Sequence, residues 1–431
     1  MPKCTRDTLR RYISEFPKIN EIKKEVTDIR CHAKIVRDSG DFWYDGEAQI
    51  KFDCEDRAYI SIPEATYQMD KGAGSIGFTG HEEYEVIGEN LGCEKGSISF
   101  SIKSAEGCSV KYKPFKYSWF GCKPPESFPK GTIFFVAFTN LELYSFSTPR
   151  FRLDNLYFKF KNSEDDDWKN AEESIRGKIT NISKVTALSP ITLAELDEAL
   201  FSVIILFEII TTNRIRIPLI KFILPDGNSG YLLYHQSSSE PARTHFKMWY
   251  EHYAPWFCLP VFFSKSIKTV HEKRDEWNLT HFAEYLITSI DAHLERKLQN
   301  AILALETITS GYLLDKGICT LEELKNLNIE AKVRKINGIL RSIDFSYFKI
   351  GLLKNYRNEL FHLGKLPDVN KYDEAIDFYF LLLELSWFIF LSFCETKTVF
   401  NRPAHSSDLN YSLVDCVSCK FTRCTNRERV K

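Results

Sequence analysis

What the 431-residue chain lacks narrows its function first. It has almost no net charge, because 57 Lys and Arg stand against 58 Asp and Glu and leave −1. That balance excludes a chain-wide basic face for nucleic acid, though not a local patch. The sequence holds no Walker loop, no HExxH zinc motif and no GxSxG nucleophile elbow. The commonest phosphate-cradling, metalloprotease and serine-hydrolase designs are therefore missing. There is no collagen-like period, no solenoid repeat and no disorder-class composition. Long hydrophobic runs are also scarce. The longest, Phe378–Cys394, falls at the lower limit for a bilayer span. It carries Glu384 in its middle and has Asp373, Glu374 and Asp377 before it, where a basic flank would stand. A buried bundle helix is expected there, and no membrane partner. Met1–Asp7 lacks the apolar core of a signal peptide. The 12 cysteines are scattered rather than framed, so reduced thiols and a cytoplasmic location are expected.

What is present is a globular composition, 44% hydrophobic, 14% aromatic and 27% charged, in a length that allows two or three domains. The pattern changes character near residue 190. Before it the signals are those of strands. Ala48–Cys54 and Gly96–Lys103 alternate, Thr132–Phe138 is a short run of aromatic and β-branched residues, and Asn155–Lys161 alternates again. Gly and Pro clusters separate them as turns. An all-β sandwich or open barrel is expected, with one polar helix over residues 5–28. The aromatic surplus of Trp119, Phe120, Phe134, Phe135 and Phe138 reads as core.

After Ser189-Pro190 the period becomes helical. Thr192-Leu-Ala-Glu195 is a capping-box pattern opening a helix through Leu196, Leu200, Val203 and Phe207. Residues 213–265 are mixed, and no chemistry attaches to them. From Trp277 onward nearly everything reads helical. Phe282, Leu286, Ile290, Leu294, Leu298, Ile302 and Leu305 form one long stripe. Val333, Ile336, Leu340 and Ile343 mark a shorter helix, Tyr347 to about Leu363 another, and Tyr372–Cys394 the last. The expected fold is α+β and multidomain. A β-rich domain spans residues 1–188, a helical or mixed connection 189–264, a four-helix bundle 265–400 and a basic Cys-containing tail 401–431.

Three candidate sites stand out. Gly72-Ala-Gly-Ser-Ile-Gly77 matches the dinucleotide fingerprint in letters. No strand–turn–helix context surrounds it, so it reads as a Gly-rich turn. Cys416, Cys419 and Cys424, with Cys394 or His405 as a fourth ligand, suggest zinc, but structural zinc wants two paired sets at fixed separation. A basic flexible tail is the default there.

The third is Lys354-Asn-Tyr-Arg357-Asn358-Glu-Leu-Phe-His362-Leu-Gly364. A short Arg…His pattern alone carries a high false-positive risk, and Arg274-Asp275…His281 is a looser relative of it. Helix geometry adds weight. Arg357 falls between Leu353 and Ile350, beside Phe361, on the margin of the apolar face. A guanidinium there must pair with Glu384 or Glu306, face a partner chain, or meet an anion. At 100° per residue His362 lies about 140° further round, off that face. Gly364 and Pro367 suggest that the helix ends here, which would free the His to swing toward the Arg.

Arg357-Asn358-Glu-Leu-Phe-His362 resembles the R-x4-6-H motif of HEPN domains, with Asn in the polar place the family favours after the Arg. Ala304-Leu-Glu306, near the end of the long stripe, is similar to what HEPN proteins of the ApeA type carry. The order of parts, a β-rich half, a helical middle and a C-terminal bundle, is also ApeA-like. The likeness covers about residues 270–396; the Cys-containing tail departs from it. The resemblance implies a metal-independent endoribonuclease of anti-phage defence that acts by abortive infection and needs no cofactor. It further implies an RNA substrate (single-stranded or tRNA-like), a homodimer whose two motifs face one cleft, and a phage-derived trigger. Arg357 would hold the phosphate, Asn358 would orient it, and His362 would move the proton, imidazole being the side chain that titrates near neutrality. Two rivals are a non-catalytic HEPN-like binding module, in which Arg357 is an interface residue, and a zinc-containing nucleic-acid-binding protein.

Overall fold

A computed structural model describes residues 30–37, 43–52, 58–62, 66–67, 83–88, 91–93, 96–102, 108–114, 117–139, 141, 149–160, 179–234, 259–290, 292–337, 350–366 and 372–394. The expected helix over 5–28, the Gly72–Gly77 turn and the tail after 400 lie outside them. The chain forms two compact units. One takes Met1–Leu196 and Ile215–Pro241, the other Asp197–Arg214 and Ala242–Lys431. The organisation is α+β, a β-sheet region followed by a helical one.

In the first unit the early strands are β1 (Arg30–Arg37), β2 (Trp43–Phe52), β3 (Ala58–Ile62), β4 (Thr66–Tyr67), β5 (Glu83–Gly88), β6 (Leu91–Cys93), β7 (Gly96–Ile102), β8 (Cys108–Pro114) and β9 (Tyr117–Gly121). Pairing runs from β1 through β2, β3, β8 and β7 to β5, and β5 pairs back onto β1. The circuit closes, where an open barrel or sandwich was expected. From β5 the sheet continues through β6 and β9 into a second group, which comprises β11 (Ile133–Thr139), β12 (Arg150–Leu153), β13 (Leu156–Phe160), β14 (Ile179–Ala187), β16 (Arg216–Ile223) and β17 (Ser229–Tyr234). The small pair β10 (Ser127–Phe128) and β15 (Ile191–Thr192) stands apart from it. The core here is aromatic. Phe134 and Phe138 are fully buried, and Phe128 meets Phe134 and Phe222 edge-on at 4.9 and 5.3 Å.

The helical unit begins with a helix borrowed from the middle of the β region. In α1 (Leu193–Thr211) the capping box forms as its letters suggest. The Glu195 carboxylate accepts from Thr192 N–H at 2.6 Å, and Thr192 Oγ1 accepts from Glu195 N–H at 3.2 Å. Past Leu196 this helix belongs to the helical unit, and the chain then returns to the β unit for β16 and β17. The expected connection over 189–264 is thus divided between the two units.

The rest of the unit contains α2 (Leu259–Lys273), α3 (Leu279–Thr288), α4 (Leu294–Asp315), α5 (Leu321–Asn326), α6 (Ile329–Asn337), α7 (Leu353–Asn358) and α8 (Tyr372–Phe393). The long apolar stripe is buried throughout, but it is two helices rather than one. The break falls between Thr288 and Leu294. Thr288 Oγ1 donates to the Glu284 carbonyl at 2.8 Å, Ser289 Oγ to that of Leu286 at 2.7 Å, and His293 is extended at ψ 156°.

α8 is apolar all round and sits in the core, as such helices do in globular proteins. Among the described residues it is the one helix long and apolar enough to cross a membrane, and most of it is buried within the protein. Trp387 Nε1 donates to the Ile209 carbonyl at 3.2 Å, Phe393 stacks on Trp277 at 3.8 Å, and Tyr356 meets Phe378 at 4.7 Å. The last contact docks α7 on the core.

Candidate functional site

The motif segment is short and ends abruptly. A turn of 3-10 helix (Ile350–Leu352) leads into α7, which widens into a π-helical turn over Glu359–Leu363 and stops at Gly364 with φ 64°. One face, formed by Ile350, Leu353, Tyr356 and Leu360, is buried. Arg357 stands at its margin as the wheel predicts, half-buried, with its guanidinium 5.6 Å from the Phe361 ring centroid.

Three helices converge on Arg357. Glu306 projects from α4, and its Oε2 lies 3.8 Å from Arg357 Nε. Lys332 projects from α6 and donates to Glu306 Oε1 at 2.8 Å. Of the two acidic partners considered from sequence, Glu306 is the one at the Arg; Glu384 is buried on α8. Glu306 is thus shared between two cations, and the closer of them is Lys332. The trio sums to +1. At 3.8 Å Arg357 Nε is beyond hydrogen-bonding reach of the carboxylate, and among the described residues it has no hydrogen-bond partner. Arg357 Nε is thus buried beside a carboxylate that Lys332 already holds, in ion-pair range of it but not hydrogen-bonded to it.

Asn358 and His362 are exposed on the same segment. No described contact joins either to Arg357. The π turn bears on their relation, because a π turn advances each residue by less than an α-helical turn does. The 140° offset between positions 357 and 362 narrows without any swing of a frayed end. Gln299 of α4 donates from Nε2 to the Leu360 carbonyl at 2.7 Å inside that turn. Phe361 and Leu363, on either side of His362, are 39% and 60% exposed.

The looser Arg…His pattern is structural. Arg274 pairs with Glu198 at 2.9 Å and Asp275 at 3.0 Å and lies over Phe201, while His281 bonds Asn278 at 2.6 Å. Cys394, the one described member of the zinc candidate, is buried at the end of α8. Burial pushes its thiol up to about 12. Its three companions in the tail and the Gly72–Gly77 turn lie outside the described residues.

Sequence reasoning missed Lys332, although a signal was there. Ile329, Lys332, Val333 and Ile336 share one face of α6, and a Lys within an apolar stripe has to be paired. No family model, no curated protein and no solved structure matches the chain.

Proposed function

We propose that the chain is a HEPN-type, metal-independent endoribonuclease of the ApeA-like kind, an abortive-infection effector of anti-phage defence. The observation that carries this is the state of Arg357. It is a guanidinium at an apolar margin, its Nε without a hydrogen bond among the described residues, beside a carboxylate already held by Lys332. An exposed His follows five residues later on the same segment. RNA supplies its own nucleophile. The 2′-oxygen bonds to phosphorus as the bond to the 5′-oxygen breaks, leaving a 2′,3′-cyclic phosphate and a 5′-hydroxyl. His362 takes the 2′ proton or gives one to the leaving oxygen. Arg357 holds the phosphate and offsets the charge that grows on its oxygens, and Asn358 donates to one of them. The chain's net charge of −1 fits a grip on RNA that is local to the bundle and salt-sensitive.

Phe361 and Leu363 supply the apolar contact for a homodimer in which two such segments face one cleft. The β unit senses a phage-derived trigger or restrains the nuclease. The test is cleavage by the purified full chain. Arg357→Ala and His362→Ala should each abolish it without changing the far-UV spectrum, and wild-type cleavage should persist in EDTA with cyclic phosphate ends. Strict dependence on added Mg²⁺ or Mn²⁺ would sink the mechanism.

A further inference from the structure

We infer that Gln299 is a positioning residue for the reaction, holding the π turn that carries His362; this rests on the nuclease reading above. The helix ends at Leu363, so the carbonyls of its last turn have no partners within it. Leu360 is 1% exposed, which leaves its carbonyl shielded from water and in need of a protein donor. Gln299 Nε2 is that donor, at 2.7 Å.

The donor sits on the helix that also carries Glu306. Positions 299 and 306 are seven apart, two turns of α4 on one face. Glu306 faces Arg357 while Gln299 fastens the backbone two residues before His362. One rigid helix thereby registers both ends of the Arg357–His362 segment. A helix terminus with a lost carbonyl partner would be free to revert to regular α-helical winding or to fray, and either change rotates His362 relative to Arg357. Reaction geometry is steep in such displacements, a shift of order 1 Å being worth about a hundredfold in rate.

The experiment uses the full-length chain with Gln299→Met, which keeps the length and volume but removes the donor, and Gln299→Lys, which restores a donor. On a single-stranded RNA oligonucleotide, Gln299→Met should lower kcat about 10- to 100-fold with KM changed less than about twofold. Gln299→Lys should recover most of the loss. Hydrogen–deuterium exchange should speed up over Glu359–Gly364 in Gln299→Met and stay unchanged over Ile302–Leu313. An unaltered kcat in Gln299→Met overturns the inference. So does faster exchange across the whole helical unit, because that marks Gln299 as general scaffold. If wild type cleaves no RNA, the nuclease reading fails separately, and the exchange pattern decides whether Gln299 holds the turn.

Discussion

Replacing Lys332 by Met should weaken RNA binding through a residue that need never touch RNA. Met keeps the apolar stem that packs in the unit and removes the charge. Glu306 is then left with Arg357 alone. At present Nζ of Lys332 lies 2.8 Å from one carboxylate oxygen and Nε of Arg357 lies 3.8 Å from the other. Closing a gap of about 1 Å makes a charge-assisted hydrogen bond, worth about 1.5–3 kcal/mol in a shielded setting. Arg357 and Glu306 are 39% and 24% exposed, which screens the pair to about 1 kcal/mol. A phosphate must displace that bond, so affinity should fall about fivefold to tenfold. Adding Glu306→Gln removes the competitor and should return affinity to the parental value or better. The assay is anisotropy of a labelled single-stranded RNA at one low salt concentration, in a His362→Ala background to prevent turnover. A far-UV melt runs beside it, because losing a partner that is 8% exposed should also cost about 2 kcal/mol of stability. Lys332→Met that melts lower yet binds RNA as tightly as its parent would refute the link between Lys332 and Arg357.

Leu363→Glu should turn the proposed dimer into a monomer by light scattering and abolish cleavage; a fully active monomer would contradict a shared cleft. Cys394 should resist iodoacetamide at pH 8 until the helical unit unfolds, as read by peptide mapping. Its thiol is raised in the fold, so the stability it contributes is complete below its ordinary value near 9 and is lost as pH climbs toward 12. A melting midpoint that rises over that range would be inconsistent. Gly230→Ala should lower the melting temperature of the β unit. The new Cβ would lie 2.4 Å from the Cys122 carbonyl oxygen and 2.6 Å from the Phe222 ring. Relief by backbone shift should cost about 2–3 kcal/mol, and an unchanged melt would show that the hairpin yields more easily than its close approach implies.

The features legible in the sequence are those that a few neighbouring residues decide. The box at Thr192 and Glu195, the alternating strand at Gly96–Ile102 and the left-handed stop at Gly364 each follow from chemistry within four or five positions. Arg357 at the apolar margin was equally legible, because periodicity alone places it. The break between α3 and α4 was hidden, since the apolar stripe runs unbroken across it. The assignment of α1 to the helical unit could not be read at all, being decided by distant partners such as Phe263, which packs on Phe207 at 4.5 Å. Glu306 was noticed but its second cation was not. Lys332 comes from 26 residues further on, and no local pattern names its mate.

The interleaved path of α1 has a consequence for synthesis. Ile209 and Trp387, joined by a hydrogen bond across 178 residues, belong to one core. At about 5–20 residues per second, roughly 10–35 s separate their emergence from a ribosome. During that interval Leu200–Ile210, an apolar run, has no finished core to enter. A chain that stops before Trp387 therefore lacks a partner that closes this core. A fragment begun at residue 265 likewise omits Phe207, Ile209 and Phe263. Completion of this core thus waits on the last helix of the unit, whatever the order in which its other parts appear.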